Sequence, residues 1–181
     1  MPNWCSNKLT VTGDASVVNQ FIAENKNLNG QSDLTFEYVV PVPDHIKNDL
    51  GNSGASWVDW ANNNWGTKWD VSDVYFEHQA EEDQIQFSFS TAWGPPVEAF
   101  ARWAESDGRV QFTLEYWEPG MAFAGRVTWD GEYLDDDHRD MGSDRAGYLE
   151  LAEQVFGYVE DEEPEPLTEW YKAGIEEKGL A

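Results

Sequence analysis

The stretch QIQFSFSTAWGPPVEAFARWAESDGRVQFTLEYWEPGMAFAGRVTWDGEY (residues 84–133) decides the fold. Apolar and polar side chains alternate over residues 84–91, as in a strand that buries one face. After Pro95-Pro96 the apolar side chains recur at helical spacing. Two more alternating segments follow, separated by the turn residues Glu118-Pro119-Gly120. The stretch therefore predicts the order strand, helix, strand, strand.

The first forty residues repeat the strand–helix–strand order. Leu9 and Val11 lie in an alternating segment, and residues 14–24 carry one apolar stripe at helical spacing. A second strand is predicted from the alternation of Leu34, Phe36, Tyr38 and Val40. Two such units on one antiparallel sheet make the split β-α-β, or ferredoxin-like, arrangement, an α+β fold. We expect the helices of residues 14–24 and 96–105 to share one face of the sheet.

The chain also contains an insertion and an extension. Residues 44–72, approximately, form a Trp-rich insertion, in which Trp57, Trp60, Ala61 and Trp65 have helical spacing. We predict a ferredoxin-like domain over residues 1–133 and an acidic, partly helical C-terminal extension over residues 134–181. Within the extension, Tyr148 to Phe156 has the pattern of an amphipathic helix, and Leu167 to Lys178 could form a short terminal helix.

The charge balance limits the possible partners. The chain has 35 acidic and 11 basic residues, a formal net charge of -24, which opposes direct binding to nucleic acid or to anionic lipid. Residues 130–181 hold 17 acids and 4 bases, so they carry more than half of that charge. One cysteine, no apolar run of membrane-spanning length and no signal-like N-terminus predict a cytoplasmic protein.

The sequence offers no catalytic residue, no metal site and no cofactor motif. Cys5, His45, His78 and His138 are scattered, without a pair at zinc-ligand spacing. The acidic run at residues 135–140 lacks the glycine and glutamate of an EF-hand loop, so a solvated charge run is the simpler interpretation. A phosphate-binding glycine loop and a G-x-S-x-G elbow are both missing. Beside Trp4, Cys5 is best interpreted as a small buried hydrophobic residue.

Tryptophans accompany three predicted chain reversals. They could line one aromatic cleft that stacks a flat ligand, formed by Trp65, Trp69, Trp93 and Trp117. The alternative, which we favour, is that these indoles close the ends of an aromatic core.

The same segments carry a family resemblance. MPNWCSN at residues 1–7, WGTKWD at 65–70, STAWGPP at 90–96 and EPG at 118–120, followed by Gly125, resemble the Api92-like (YubB-like) family. The resemblance covers residues 1–133 and implies a ferredoxin-like domain and an origin on a phage or a conjugative plasmid. It implies no catalytic residues.

These observations lead to one main hypothesis and two rivals. The main hypothesis is a non-enzymatic binding protein that inhibits a basic host protein or nucleoprotein complex, such as a defence complex, by mimicking nucleic acid. Its partner-binding surface would comprise Asp135, Asp136, Asp137, Asp140, Glu160, Asp161, Glu162, Glu163 and Glu165. The first rival is an acidic coat that serves only solubility or salt tolerance. The second is an enzyme or small-ligand protein that uses the Trp-lined turns.

Overall fold

One six-stranded antiparallel sheet organises the protein. The computed structural model describes residues 3–29, 34–48, 55–77, 83–106 and 108–158. The strands are β1 (Trp4–Gly13), β2 (Ser72–Glu77), β3 (Gln84–Ala92), β4 (Val110–Glu118), β5 (Phe123–Trp129) and β6 (Leu134–Asp140). The helices are α1 (Ala15–Asn29), α2 (Phe36–Val39), α3 (Asp44–Lys47), α4 (Ala55–Trp65), α5 (Val97–Ser106) and α6 (Arg145–Phe156). The strand order is β2-β3-β1-β4-β5-β6.

Two interlocked β-α-β units form the first four strands of this sheet. β1 and β2 run parallel with β3 between them, because β3 is antiparallel to both. In the same way β3 and β4 run parallel, with β1 between them and α5 as the connection. This arrangement confirms the predicted ferredoxin-like α+β fold, which β5 and β6 extend on one side.

The predicted second strand at residues 34–40 was wrong. This segment contains the short helix α2, and the strand that completes the first unit is β2 at Ser72–Glu77. The N-cap of this helix is Thr35, whose hydroxyl accepts a hydrogen bond from the Glu37 amide at 3.2 Å. A long-range contact reinforces this cap: the Asp70 carboxylate accepts hydrogen bonds from the Phe36 amide at 2.7 Å and the Thr35 hydroxyl at 2.6 Å. Such a cap satisfies backbone donors at a helix start, which local alternation cannot reveal. The helical insertion therefore begins before the expected residue 44.

The aromatic core lies between the sheet and the helices α1, α4 and α5. Phe21 of α1 and Trp103 of α5 pack with ring centroids 4.7 Å apart, so these two helices share one face as predicted. Phe100 lies at the centre, with no solvent exposure, and its ring packs against Phe36 and Phe112 with centroids 6.0 Å away in each case. The tryptophan stripe of α4 joins the same core through Trp65. The predicted short helix with one aromatic stripe is thus confirmed.

The opposite face of the sheet is partly covered by α6. Tyr148 and Leu151 of this helix pack on Ala124 and Trp117, which project from β5 and β4. The polar side chains of β1, β2 and β3 lie beyond the helix on the same face, which is called the open face below. The helix predicted from Tyr148 to Phe156 is confirmed, whereas the acidic strand β6 was not expected.

The division into a domain of residues 1–133 and an extension of residues 134–181 stays a prediction. Within the described part, β6 pairs with β5 along its length, from Trp129 opposite Leu134 to Phe123 opposite Asp140. The run from Glu160 to Glu165 and the expected helix at residues 167–178 lie outside the described residues.

Candidate functional site

A cluster of exposed indoles lies at the end of the sheet where β1 begins and β3 ends. Trp4, Trp69 and Trp93 are each about 40% exposed. The ring centroids of Trp4 and Trp69 are 6.4 Å apart, and the Lys68 ammonium lies 4.7 Å from the Trp69 ring and 4.6 Å from the Trp93 ring. These are cation–π distances. We call these four residues the tryptophan patch.

The segment Trp65-Gly66-Thr67-Lys68-Trp69-Asp70 positions one side of the patch. Gly66 has a left-handed backbone (φ +78°), and a Cβ there would lie 3.0 Å from the Pro95 carbonyl oxygen, so glycine is required. The Thr67 hydroxyl donates to the Ala92 carbonyl at 2.8 Å, and Asp70 caps α2. With both flanks anchored, Lys68 and Trp69 project from a fixed loop.

The turn after β3 positions the other side of the patch. Trp93 has φ 74°, a conformation that bulky residues rarely adopt, and its amide donates to the Asn3 carbonyl at 2.9 Å. The Thr91 hydroxyl donates to the Gly94 carbonyl at 2.7 Å and accepts from the Asn7 amide at 2.8 Å. The buried Asn7–Thr91 pair therefore holds an exposed indole in a strained backbone, a combination that often occurs at functional sites.

The structure brings together only two of the four tryptophans expected to line a cleft. Trp69 and Trp93 flank Lys68, but Trp65 is 1% exposed in the core and its indole N–H donates to the Val40 carbonyl at 2.9 Å. Trp117 lies on the open face, where its indole N–H donates to the Tyr148 hydroxyl at 2.8 Å. The prediction rested on the position of all four tryptophans beside turns. It failed for two of them because nearness to a turn does not determine the face on which a side chain lies.

The described residues of the expected acidic surface lie on the edge strand β6, where Asp135, Asp136 and Asp140 are exposed and Asp137 is half-buried. Asp135 and Asp137 project to the open face and Asp136 and Asp140 to the helix face, because they lie opposite Thr128, Arg126, Val127 and Phe123 respectively. β6 pairs only with β5 among the described strands, so its outer edge is open.

Part of this charge is compensated locally. Arg139 contacts Asp137 and Asp144 with nitrogen–oxygen distances of 2.6 Å. The Gly147 amide and, secondly, the Arg139 guanidinium hold the pKa of Asp144 below its usual value. The Asp140 carboxylate accepts a hydrogen bond from the Gly142 amide at 2.7 Å and stabilises the turn after β6. Asp135 is therefore the β6 acid least committed to local structure.

A buried tyrosine fixes β6 from the helix face. The Tyr116 side chain crosses above Gly125, and its hydroxyl lies 3.0 Å from His138 Nδ1 and 3.5 Å from an Asp136 oxygen. Burial, and after it the Asp136 charge, raises the pKa of Tyr116, so the hydroxyl keeps its proton. Sequence analysis missed this contact. The only sequence signal for this contact was Gly125, because a glycine inside an alternating strand often marks a point where another group approaches the backbone closely.

The single cysteine is inert. Cys5 has no solvent exposure, and burial together with the nearby Glu118 charge raises its pKa to about 12. A thiol needs to ionise to act as a nucleophile. The interpretation of Cys5 as a small buried hydrophobic residue is therefore confirmed.

Within the described residues, no three or more His, Cys, Asp or Glu side chains are grouped so that they could hold a metal ion. The helices in that part of the chain are all too short or too polar to cross a bilayer.

Comparison with known proteins identifies the family. Residues 64–163, more than half of the chain, match the profile of the ferredoxin-like domain in Api92-like proteins. This chain is an Api92-like protein. The crystal structure of the protein Api92 from Yersinia pseudotuberculosis is similar over 77% of this chain and 98% of that one, with a TM-score of 0.58 and 10% sequence identity. At this identity the likeness shows the fold alone. The comparison with curated proteins gives no match.

Most motif residues of this Api92-like protein have structural roles. Glu118 is 1% exposed, and its carboxylate accepts hydrogen bonds from the Gly120 amide at 3.0 Å and from the Met121 amide, which closes the β4–β5 turn. The functional candidates left over are Trp4, Lys68, Trp69 and Trp93. Trp4 and Lys68 were not predicted as site residues. The alternation along β1 does place the Trp4 side chain on the other face of the sheet from the buried Cys5.

Proposed function

We propose that this Api92-like protein is a non-enzymatic acidic binding protein of a phage or plasmid. It occupies a basic nucleic-acid-binding groove on a host defence protein in the host cytoplasm and excludes the nucleic acid. The observation that carries the proposal is the placement of Asp135, Asp136 and Asp137 on an exposed edge strand of a rigid sheet.

The charge spacing on that strand supports nucleic-acid mimicry. Consecutive residues of an antiparallel strand rise by about 3.4 Å. One strand of duplex DNA carries one phosphate charge per roughly 3.4 Å of helix axis. Three successive aspartates therefore reproduce the axial charge spacing of one DNA strand, although they alternate between two faces. The total charge of -24 adds a long-range field that attracts a basic partner.

The experiment first captures a partner from host lysate with the full chain and identifies it by mass spectrometry. Association rates are then measured for wild type and for the variant Asp135→Asn/Asp136→Asn at two salt concentrations. We expect the variant to associate about three- to tenfold more slowly at low salt, because exposed charges mainly control encounter. The difference should shrink as salt rises, since screening acts beyond roughly 8 Å at physiological ionic strength.

A matched control separates the site from the overall charge. Asp59→Asn/Glu105→Gln changes the net charge by the same two units, at exposed positions on α4 and α5. It should associate at a rate near that of wild type. Equal slowing by both variants would show that only net charge matters. A ternary complex of this protein, its partner and the partner's nucleic acid would refute the decoy mechanism.

The tryptophan patch favours a second candidate function, the stacking of a flat anionic ligand. Its three indoles are exposed, and two of them, Trp69 and Trp93, flank the ammonium of Lys68, which could bind an anionic substituent while a ring stacks on an indole.

Titration with flavin mononucleotide, monitored by tryptophan fluorescence, tests this candidate. Quenching should be lost in Trp93→Phe and retained in Trp57→Phe, a half-buried indole of α4. Equal quenching of both variants, or none of wild type, would exclude ligand stacking at the patch.

A further inference from the structure

A concave surface lies on the open face, beside the start of β1. It is a groove of about 340 Å³ between strands β1, β3 and β2 and the C-terminal end of α6. Among the residues that line it, those with polar side chains on the open face are Ser6, Lys8, Asp73, Tyr75, Ser88 and Ser90. Val155 and Phe156 of α6 supply an apolar wall. The volume is near the lower end of the range for small-molecule sites, so the groove fits one small ligand.

The sheet register explains how the groove forms. One row of side chains crosses the open face from Tyr75 through Ser88, Lys8, Glu115 and Arg126 to Asp137, each directly opposite the next. An irregularity between Ser72 and Tyr75 shifts the register of β2, and Asp73 within it has φ 50°. Such bulges redirect side chains and often lie beside binding sites. Here the bulge places Asp73 and Tyr75 at the rim.

The charged side chains in the two halves of that row differ in whether they have ion-pair partners. On the β4–β6 side, Glu115 accepts from Arg126 at 2.6 Å, and Arg139 bridges Asp137 and Asp144. On the groove side, the ammonium of Lys8 and the carboxylate of Asp73 have no ion-pair or hydrogen-bond partner among the described residues. Glu115 lies opposite Lys8, but its carboxylate binds Arg126 on the other flank.

We propose that the groove binds a small zwitterion that carries a ring, the chemical class of an aromatic α-amino acid. The ligand's carboxylate binds Lys8 and the serine hydroxyls, and its ammonium binds Asp73. Its ring packs between Tyr75, which is 70% exposed, and Phe156. Lys8 and the β2 rim are two strand spacings apart, about 10 Å at the backbone, so the Lys8 side chain can reach a ligand held against Asp73. A ligand with one charge would leave either Lys8 or Asp73 uncompensated.

Isothermal titration calorimetry on the full chain tests this proposal with four probes. L-phenylalanine carries all three groups, L-phenylalaninamide lacks the carboxylate, 3-phenylpropionate lacks the ammonium, and L-alanine lacks the ring. We expect L-phenylalanine to bind at least about tenfold more tightly than each of the others, since each lacks one charge-assisted or aromatic contact.

Two variants assign the contacts. Lys8→Gln should abolish the preference for L-phenylalanine over its amide, and Asp73→Asn should abolish the preference over 3-phenylpropionate. Asparagine tolerates a left-handed backbone, so Asp73→Asn removes only the charge. Lys47→Gln, on an exposed lysine that pairs with Glu37, is the matched control and should keep both preferences. Melting curves establish that each variant is folded.

Three results would overturn the proposal. The first is no binding of L-phenylalanine to wild type. The second is equal binding of 3-phenylpropionate and L-phenylalanine, which would show a simple anion site. The third is a folded Lys8→Gln variant that still distinguishes L-phenylalanine from its amide.

Discussion

Replacing Gly125 by alanine should destabilise the fold through one steric conflict. A Cβ at this position would lie 2.2 Å from Cζ and Oη of Tyr116, whereas ordinary contacts begin near 3.4 Å. The ring would therefore have to move by about 1.2 Å, the difference between these two distances. The hydroxyl beside His138 at 3.0 Å would be displaced with it.

The expected loss follows from three contributions. Overpacking costs about 1–3 kcal/mol, and loss of the hydroxyl hydrogen bond costs about 0.5–1.5 kcal/mol. Reduced freedom of the unfolded chain returns about 0.4–1 kcal/mol. We expect Gly125→Ala to lower the free energy of unfolding by about 2–3 kcal/mol, measured by urea denaturation with linear extrapolation.

A double-mutant cycle tests the cause. Tyr116→Ala alone should cost about 3–5 kcal/mol, but the double variant should cost at least about 2–3 kcal/mol less than the sum, because both the steric conflict and the hydrogen bond that it displaces are then absent. The control is Gly108→Ala, where an added Cβ meets nothing within 4 Å; it should be neutral or stabilising by up to about 1 kcal/mol. Additivity within about 0.5 kcal/mol at residues 116 and 125 would refute the reasoning.

Three further predictions concern the core and two titratable groups. Phe100→Ala should lower the free energy of unfolding by about 3–5 kcal/mol in the same assay; a loss below about 1 kcal/mol would contradict the packing of α5. Because burial raises the pKa of Cys5 to about 12, its stabilising contribution is complete below the unfolded pKa of roughly 8.5 and falls as pH rises towards 12. Between pH 8 and 10, the free energy of unfolding of wild type should therefore fall by about 2 kcal/mol more than that of Cys5→Ala. Equal decreases in the two proteins would contradict this prediction. Asp144→Ala removes the N-cap of α6 and should lower the melting temperature at neutral pH. The pKa of Asp144 lies below its usual value in the folded protein, so the difference in melting temperature between wild type and Asp144→Ala should disappear as pH falls through that pKa. A difference that persists in acid would contradict the role of the Asp144 charge.

The sequence predicts the parts of the fold that local periodicity determines. β3, α5 and β4 each show a complete pattern, and their buried residues, such as Phe87, Phe100 and Leu114, lie where the alternation or stripe placed them. The prediction for residues 34–40 failed because its helix is capped by Thr35 and by Asp70, which lies about 35 residues along the chain, and side-chain alternation reveals neither contact. Short apolar runs are ambiguous between helix and strand without such a tertiary partner.

The candidate sites were less predictable for the same reason. Trp65 and Trp69 both neighbour turns, yet Trp65 is buried in the core and Trp69 is exposed, because a turn does not determine which way its side chains point. The groove depends on strand register and on the bulge at Asp73. The opposite charges of Lys8 and Asp73 lie on the same groove only because β3 pairs with both β1 and β2, which the sequence does not indicate. Lys8 gave no local signal at all.

The acidic edge strand also determines how the protein behaves towards its own copies. An exposed edge has free backbone donors and acceptors, which another strand can join, and this is a common route to aggregation. Two β6 edges that met would bring aspartates close together across the new ladder, and like charges on neighbouring strands repel. Self-association through β6 is thereby opposed, whereas a lysine-rich strand from another protein would gain both the backbone hydrogen bonds and the opposite charge. The same three aspartates therefore disfavour pairing between two β6 edges and would suit pairing with a basic strand.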